Sequence, residues 1–317
     1  MKPEILLTMP IYPPVAAELE RAYTVHRLWS ATDRSRFLGE TCGAVRAVVT
    51  VGAAGLQPGI VEALPRLELV ACFGTPNATV QFPGVAARGL PITNTPDDIL
   101  GTVAELAAGM AVALMRSIVR NDRFVRSGRW TEGAPHAGAT LIGKRCGIVG
   151  LGGIGREVAT RLAAFGMRIS YHGPRRKNDV SYEYFQNVGD LARSADCLVI
   201  TCPSTPETAG LIDGRVLDAL GTEGYLVNVA RGPIVDERAL LAALGEKRIA
   251  GAALDVFWNE PHVPAALLDM DNVVLLPHIG STTREIREER GRKLLANLSA
   301  HFAGAPLPYV LRKPEGS

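Results

Sequence analysis

Three short stretches carry side chains suited to acid–base and oxyanion chemistry. "LVNVARGPIVDERAL" sets Arg231 just beyond an apolar run, "GAALDVFWNEP" sets Glu260 beyond a second, and "VVLLPHIGS" sets His278 beyond a third. A guanidinium forks onto planar oxyanions, so Arg231 suits a carboxylate and can lean on an adjacent carbonyl oxygen. An imidazole gives or takes a proton near neutral pH, as few other side chains do. A carboxylate such as Glu260 can accept from one ring nitrogen of His278, which fixes the tautomer and favours the imidazolium. Singly, each stretch is weak: an Arg after a strand is usually solvated, "NEP" is usually a turn and "PH" usually structural. In this order they form a set able to anchor an acid, polarise its carbonyl and protonate it. His26, His136, His262 and His301 lack such a setting and read as structural or surface residues.

A second constellation lies upstream. Gly150-Leu151-Gly152-Gly153-Ile154-Gly155 matches GxGxxG, follows the strand-like "RCGIVGL" and opens a helix-like segment. Gly150 permits the tight turn, Gly152 lets backbone approach a pyrophosphate, and Gly155 lets helix and strand pack closely. The helix N-terminus then offers amide protons and partial positive charge to the phosphates. About twenty residues on, an NAD site would place an acid on the ribose hydroxyls. "ISYHGPRRKND" instead ends its strand in His172, Gly173 and Pro174, followed by Arg175, Arg176 and Lys177, with Asp179 too late. Guanidinium groups attract a ribose 2′-phosphate that a carboxylate would repel. Arg175 and Arg176 are the candidates, so the expected cofactor is NADPH rather than NADH.

These residues need a scaffold that brings strand ends together. The first third alternates strand-like "EILLTMP", "VRAVVTVG", "LELVACFG" and "PITNTP" with helix-like "PPVAAELERAY" and "LQPGIVEALP". Continuous apolar strands separated by helices imply a parallel sheet covered on both faces. "ILGTVAELAAGMAVALMRSIVRNDRFVRSG" reads as one long, largely buried interdomain helix, and "RWTEGAPHAGATLIGK" as a loop. From Lys144 the alternation restarts through "RCGIVGL", "MRISYHG", "DCLVITC", "GYLVNVA", "IAGAALDV" and "NVVLLPHIG", giving a second doubly wound unit. The last helix, "TREIREERGRKLLANLSAHFAG", is expected to return to the first unit. The expected fold is α/β, with two doubly wound parallel-sheet domains. A discontinuous substrate-binding domain spans 1–98 and 284–317, and a dinucleotide-binding domain spans 99–283. A chain of 317 residues exceeds what a single core usually holds.

Bulk composition excludes several classes. A net charge of +2 does not suggest nucleic acid or an acidic membrane as partner. The cysteines Cys42, Cys72, Cys146, Cys197 and Cys202 are scattered without a CxxC pair, so neither zinc nor a disulfide framework is indicated. No apolar window approaches the roughly 18 residues of a membrane span, and the start of the chain does not read as a signal peptide. The cytoplasm is the expected location.

Taken together with "NTPDDILGTVAELAAG" and "GIVGLGGIGREVA", these stretches resemble the D-isomer-specific 2-hydroxyacid dehydrogenases over nearly the whole chain, most of all the glyoxylate/hydroxypyruvate and hydroxyphenylpyruvate reductases. The resemblance implies two flavodoxin- or Rossmann-like domains with the active site in the cleft, a homodimer through the nucleotide domains, and Arg231, Glu260 and His278 as catalytic residues. It further implies that Cys202, Pro203 and Thr208 line the adenosine and pyrophosphate. Thr102, Val103, Val229 and Ala230 lie along the nicotinamide, Asp255 holds its carboxamide, and His172 and Gly280 are further cofactor-binding positions. The implied reaction is reduction of a small 2-oxo acid. Bulkier arylpyruvates or 2-ketogluconate are the alternative substrates, and a non-catalytic dinucleotide sensor is an alternative of another class. Formate-type oxidation fits less well, because such relatives pair the His with a Gln.

One stretch departs from the pattern. Where relatives cradle the substrate carboxylate with backbone amides in a loop resembling "SVGLDKVD", this chain has "FGTPNATVQ". Pro76 has no N–H, so one donor is missing. Val51, Gly52 and Ala53 of "TVGAAG" are the expected substitutes, with the Thr75 hydroxyl assisting. Trp130 falls in a region that in some relatives reaches the partner subunit, and reads as an interface residue.

Overall fold

The computed structural model describes residues 2–41, 43–52, 54–76 and 80–311. The chain divides into two compact units, Met1–Asp98 with Thr283–Ser317, and Ile99–Thr282.

The first unit is built on β1 (Glu4–Leu7), α1 (Pro13–Ala22), β2 (Thr24–Arg27), α2 (Arg34–Thr41), β3 (Val45–Val51), β4 (Leu69–Phe73) and β5 (Ile92–Thr93). The strands form one parallel sheet in the order β2-β1-β3-β4-β5, the flavodoxin-like arrangement. The prolines at the start of α1 fit a helix entrance, where no intrahelical N–H bond is lost. Val15 and Leu19, one turn apart, are its buried residues. The segment "LQPGIVEALP" is a series of turns, not the expected helix. Gly59 there has φ of +85°, which stops a helix from starting after Pro58, while Leu56, Ile60, Val61 and Leu64 are still buried.

The second unit begins with α3 (Leu100–Met115) and α4 (Ile118–Arg126). The expected single long helix is broken: Ser117 sits at φ 53°, ψ 34°, and the two helices bend by 61°. Neither Gly nor Pro marks the break. It is held by the 136–139 stretch of backbone, where the Ala139 amide donates to the Met115 carbonyl at 2.7 Å and the Asn121 side chain bonds the His136 backbone in both directions. Among the described residues no single helix is long and apolar enough to cross a membrane.

The unit continues through β6 (Arg145–Val149), α5 (Gly153–Ala164), β7 (Arg168–His172), β8 (Glu183–Phe185), α6 (Val188–Ser194) and β9 (Cys197–Ile200). It ends with α7 (Gly214–Leu220), β10 (Tyr225–Asn228), α8 (Glu237–Gly245), β11 (Gly251–Leu254), α9 (Ala265–Leu268) and β12 (Val273–Leu275). Seven parallel strands lie in the order β12-β11-β10-β9-β6-β7-β8. The direction of winding reverses between β6 and β9, the position at which open α/β sheets bind ligands. Side-chain caps start several helices: Asn187, Asp213 and Asp236 each accept from backbone amides in the first turn of α6, α7 and α8. The helix α10 (Arg284–Phe302), capped by Thr283, packs in the first unit against α1 and β4. Its buried Asn297 donates to the Asn94 carbonyl and accepts from the Tyr309 amide.

Candidate active site

The glycine turn sits at the carboxyl end of β6, beside the switch point. Gly150 has φ of +101°, and a Cβ there would lie 2.6 Å from the Cys202 Cα. A Cβ on Gly155 would meet the Gly150 carbonyl oxygen at 2.3 Å. Both glycines are therefore required by close backbone approach. Gly152 differs: it is exposed, and nothing lies within 4 Å of where its Cβ would be. As the N-cap of α5 it brings no side chain to the first-turn amides, so those of Gly153, Ile154 and Gly155 remain available to an anion. This open side and uncapped helix fit a dinucleotide pyrophosphate. Leu151 points into the core, leaving only its backbone for a ligand.

Around this turn lie several residues that the resemblance assigned to the cofactor. The Cys202 backbone touches Gly150, and burial pushes its thiol up to about 11, which makes it an inert neutral group. Pro203 and Thr208 bound a closed loop in which the Thr208 hydroxyl donates to the Pro203 carbonyl and accepts from the Thr205 amide. The Thr208 hydroxyl is thus used within the loop itself. At the start of α3 the Thr102 hydroxyl bonds the Ile99 carbonyl, and Val103 is buried within van der Waals reach of Gly280.

The Arg, Glu and His follow β10, β11 and β12, three neighbouring strands. His278 Nδ1 lies 2.7 Å from Glu260 Oε2, and Glu260 Oε1 accepts the Phe257 amide at 3.0 Å. A carboxylate only accepts, so Nδ1 carries the proton and Nε2 is turned to whatever reacts. The backbone of His278 is left-handed, at φ 53°, a costly state for a residue with a side chain. The buried Asp255 holds that turn: its two carboxylate oxygens accept the amides of Ile279 and Gly280, at 2.7 and 2.9 Å. Burial raises the Asp255 pKa, against the opposing pull of those two amides.

Arg231 is placed by a different device. The buried Asn228 accepts the Ala230 amide and donates to the Arg231 carbonyl, both at 3.0 Å, bracketing the turn. Next to it, a Cβ on Gly232 would fall 2.2 Å from the Phe257 carbonyl carbon, so this turn lies against the segment that leads to Glu260. The guanidinium itself is exposed. Among the described residues its hydrogen bond is to the Ala230 carbonyl, at 2.6 Å, and not to Glu260 or His278. Val229 is buried and Ala230 half-buried beside it. Neither Asn228 nor the capping role of Asp255 was expected from sequence; "VNVARG", with a polar residue inside an apolar run, is the signal that could have found Asn228.

The basic turn follows β7. His172 Nδ1 donates to the Phe185 carbonyl at 3.1 Å, while Arg175 and Arg176 are exposed and have no hydrogen-bond or ion-pair partner among the described residues. Asp179 pairs with Arg156 at 2.9 Å, which holds its carboxyl below the usual carboxylate range.

In the first unit the expected carboxylate cradle requires correction. The Gly52 amide, expected to receive a substrate carboxylate, donates to the Phe73 carbonyl at 2.9 Å, and the Gly74 amide donates to the Thr95 hydroxyl. The loops after β3 and β4 approach so closely that a Cβ on Gly52 would lie 2.9 Å from the Gly74 backbone, and this contact takes up the amide. Val51 ends β3; Ala53 lies outside the described residues. Thr75 is exposed, and its hydroxyl oxygen accepts from Asn94 at 3.2 Å, leaving its proton available to donate.

A glycine turn at a sheet's switch point and an acid–base pair at neighbouring strand ends define a nicotinamide-dependent oxidoreductase. Residues 108–280 match the model of the D-isomer specific 2-hydroxyacid dehydrogenase NAD-binding domain. The chain belongs to the D-isomer-specific 2-hydroxyacid dehydrogenase family. It is 42% identical to a glyoxylate/hydroxypyruvate reductase A of Arabidopsis thaliana over 303 residues, 96% of this chain and 97% of the relative. It is also 42% identical to the hydroxyphenylpyruvate reductase of Plectranthus scutellarioides, over the same shares. The solved structure of an NADPH-dependent glyoxylate/hydroxypyruvate reductase from Sinorhizobium meliloti, in complex with NADP and malonate, is similar with a TM-score of 0.80 and 34% identity, covering 99% of this chain and 100% of that one.

Proposed function

We propose that this enzyme reduces small 2-oxo acids, glyoxylate or hydroxypyruvate, to D-2-hydroxy acids with NADPH. The observation that carries the reading is the His278–Glu260 pair, 2.7 Å apart, on a left-handed turn that Asp255 holds open. When bound along the glycine turn, the reduced nicotinamide supplies a hydride equivalent to the substrate carbonyl carbon. Arg231 swings from the Ala230 carbonyl to fork onto the substrate carboxylate and lean on its carbonyl oxygen. His278 Nε2 gives its proton to that oxygen, while Glu260 keeps Nδ1–H in place. Thr75, with Val51, would support the substrate, and Asp255, besides its turn-holding role, would accept from the carboxamide of a bound nicotinamide. Arg175 and Arg176 receive the 2′-phosphate, in keeping with the NADPH-dependent relative of similar fold. Among the described residues Cys72, Cys146, Cys197 and Cys202 are unpaired and buried, which fits a reducing compartment, the cytoplasm, where NADP is kept largely reduced.

The test is kcat/KM over glyoxylate, hydroxypyruvate, phenylpyruvate and 2-ketogluconate with each cofactor. Turnover is expected to be best for one of the first two, and tenfold or better with NADPH, a preference that needs only about 1.4 kcal/mol. Arg175→Ala/Arg176→Ala should abolish that preference. Tight cofactor binding without turnover of any 2-oxo acid would instead favour a dinucleotide sensor. Better use of phenylpyruvate or 2-ketogluconate would move the substrate to the bulkier class.

The same reading includes a homodimer through the second unit. Trp130, Ile142 and Phe165 are 64%, 77% and 48% exposed there, apolar side chains that an interface would cover. Sedimentation should give a dimer, and Trp130→Arg a shift toward monomer; a monomeric wild type would refute the assignment.

A further inference from the structure

The turn that carries Arg175 and Arg176 is tied at both ends by groups that never reach its tip. At its entrance the Tyr184 hydroxyl donates to the Gly173 carbonyl at 3.1 Å. At its exit the Tyr171 hydroxyl accepts the Lys177 amide at 2.6 Å, and Asp179 is paired with Arg156 on α5. Tyr171 is 1% exposed, and its ring packs 5.3 Å from that of Tyr184, so the two hydroxyls rise from one aromatic base under the turn. Between these ties lie Pro174, with its fixed φ, and the two arginines, exposed and without partners among the described residues.

We propose that Tyr171, seconded by Tyr184 and Asp179, is a positioning residue for cofactor choice: it holds the 174–176 turn in one shape, so that Arg175 and Arg176 meet a ribose 2′-phosphate already ordered. The physical ground is preorganisation. Two long arginines on a slack turn lose backbone and side-chain freedom on binding a phosphate, and that cost offsets much of the charge-assisted bonding. A turn whose backbone is already fixed leaves only the side chains to order. The effect of the two tyrosine ties falls on the 2′-phosphate, because they close on Gly173 and Lys177, whereas the Asp179 pair reaches Arg156, the residue after Gly155. The Tyr171 bond, part-buried and short, dominates; the Asp179–Arg156 pair is solvent-exposed and contributes less.

The inference rests on the NADPH reading above, and the two are separated by measuring binding rather than turnover. Dissociation constants for NADPH, NADH and 2′,5′-ADP are obtained by calorimetric titration of wild type and Tyr171→Phe. In the wild type NADPH should bind at least tenfold more tightly than NADH. In Tyr171→Phe the NADPH and 2′,5′-ADP constants should weaken five- to tenfold, with the NADH constant within twofold of wild type. Equal weakening of NADPH and NADH, or no change in either, overturns the proposal while a wild-type preference for NADPH leaves the cofactor reading intact. Equal wild-type affinities would remove the cofactor reading and the proposal with it. Should Tyr171→Phe not fold, Tyr184→Phe tests the tie at Gly173 with the same expectation and the same overturning results.

Discussion

Replacing His278 by Asn is expected to lower kcat for 2-oxo acid reduction by about 10³-fold, within the roughly 10²–10⁴ that a positioned general acid contributes. Asn is the informative substitution because residue 278 has φ of 53°. Asn tolerates that left-handed backbone better than most side chains, so the turn tied by Asp255 should survive and only the proton donor is lost. The cofactor dissociation constant should therefore stay within twofold of wild type while kcat collapses. Steady-state rates at saturating NADPH, paired with fluorescence titration of the cofactor, read both quantities. A variant that keeps a tenth of the wild-type kcat would show that some other group delivers the proton. A fall in cofactor affinity equal to the fall in rate would show that the turn itself had been lost.

Arg231→Lys is expected to lower kcat/KM by about 10²–10³-fold, even though the positive charge is kept. Losing the two-pronged contact to the carboxylate and the lean on the carbonyl oxygen removes charge-assisted bonds nominally worth about 1.5–3 kcal/mol each. Together about 3–4 kcal/mol corresponds to that range of rate. The Asn228 bracket grips the backbone at residues 230 and 231, not the side chain, so the fold of the turn should be indifferent to the exchange. In the proposed role the guanidinium serves the bound acid and the developing charge alike, so both KM and kcat should suffer. Unchanged cofactor affinity is part of the expectation. A Lys variant within threefold of wild type would mean that the carboxylate is anchored elsewhere and Arg231 acts only as a point charge.

Much of this protein is legible in its residue types and their spacing, for a physical reason that differs from part to part. The inner parallel strands of both sheets are continuous apolar runs, and a strand buried on both faces needs nothing else to declare it; the edge strands β2 and β8, which carry exposed polar residues, are not legible. Gly150 and Gly155 are legible because no side chain fits where their Cβ atoms would fall, so the chemistry of the turn is written in the residue type. Caps such as Asp213 and Asp236 are similarly local, reaching amides three residues away. The order Arg231, Glu260, His278 is legible because each follows its own strand, and adjacent parallel strands deliver their ends to one edge.

Other features are decided by partners far away along the chain. The break at Ser117 has no Gly or Pro, and depends on the Ala139 amide and on the Asn121–His136 bonds. The Gly52 amide reads as available in its own loop, but the Phe73 carbonyl takes it. Asp255 matches a cofactor-binding position, yet only the fold shows it fastening Ile279 and Gly280 beneath the strained His278. Local periodicity and steric demand thus determined the inner strands of the two sheets, the glycine turn and the order of Arg231, Glu260 and His278. Tertiary hydrogen bonds, which leave no trace in spacing, decided how the His278 turn is held, which backbone amides stay open, and how firmly the basic turn after His172 is fixed.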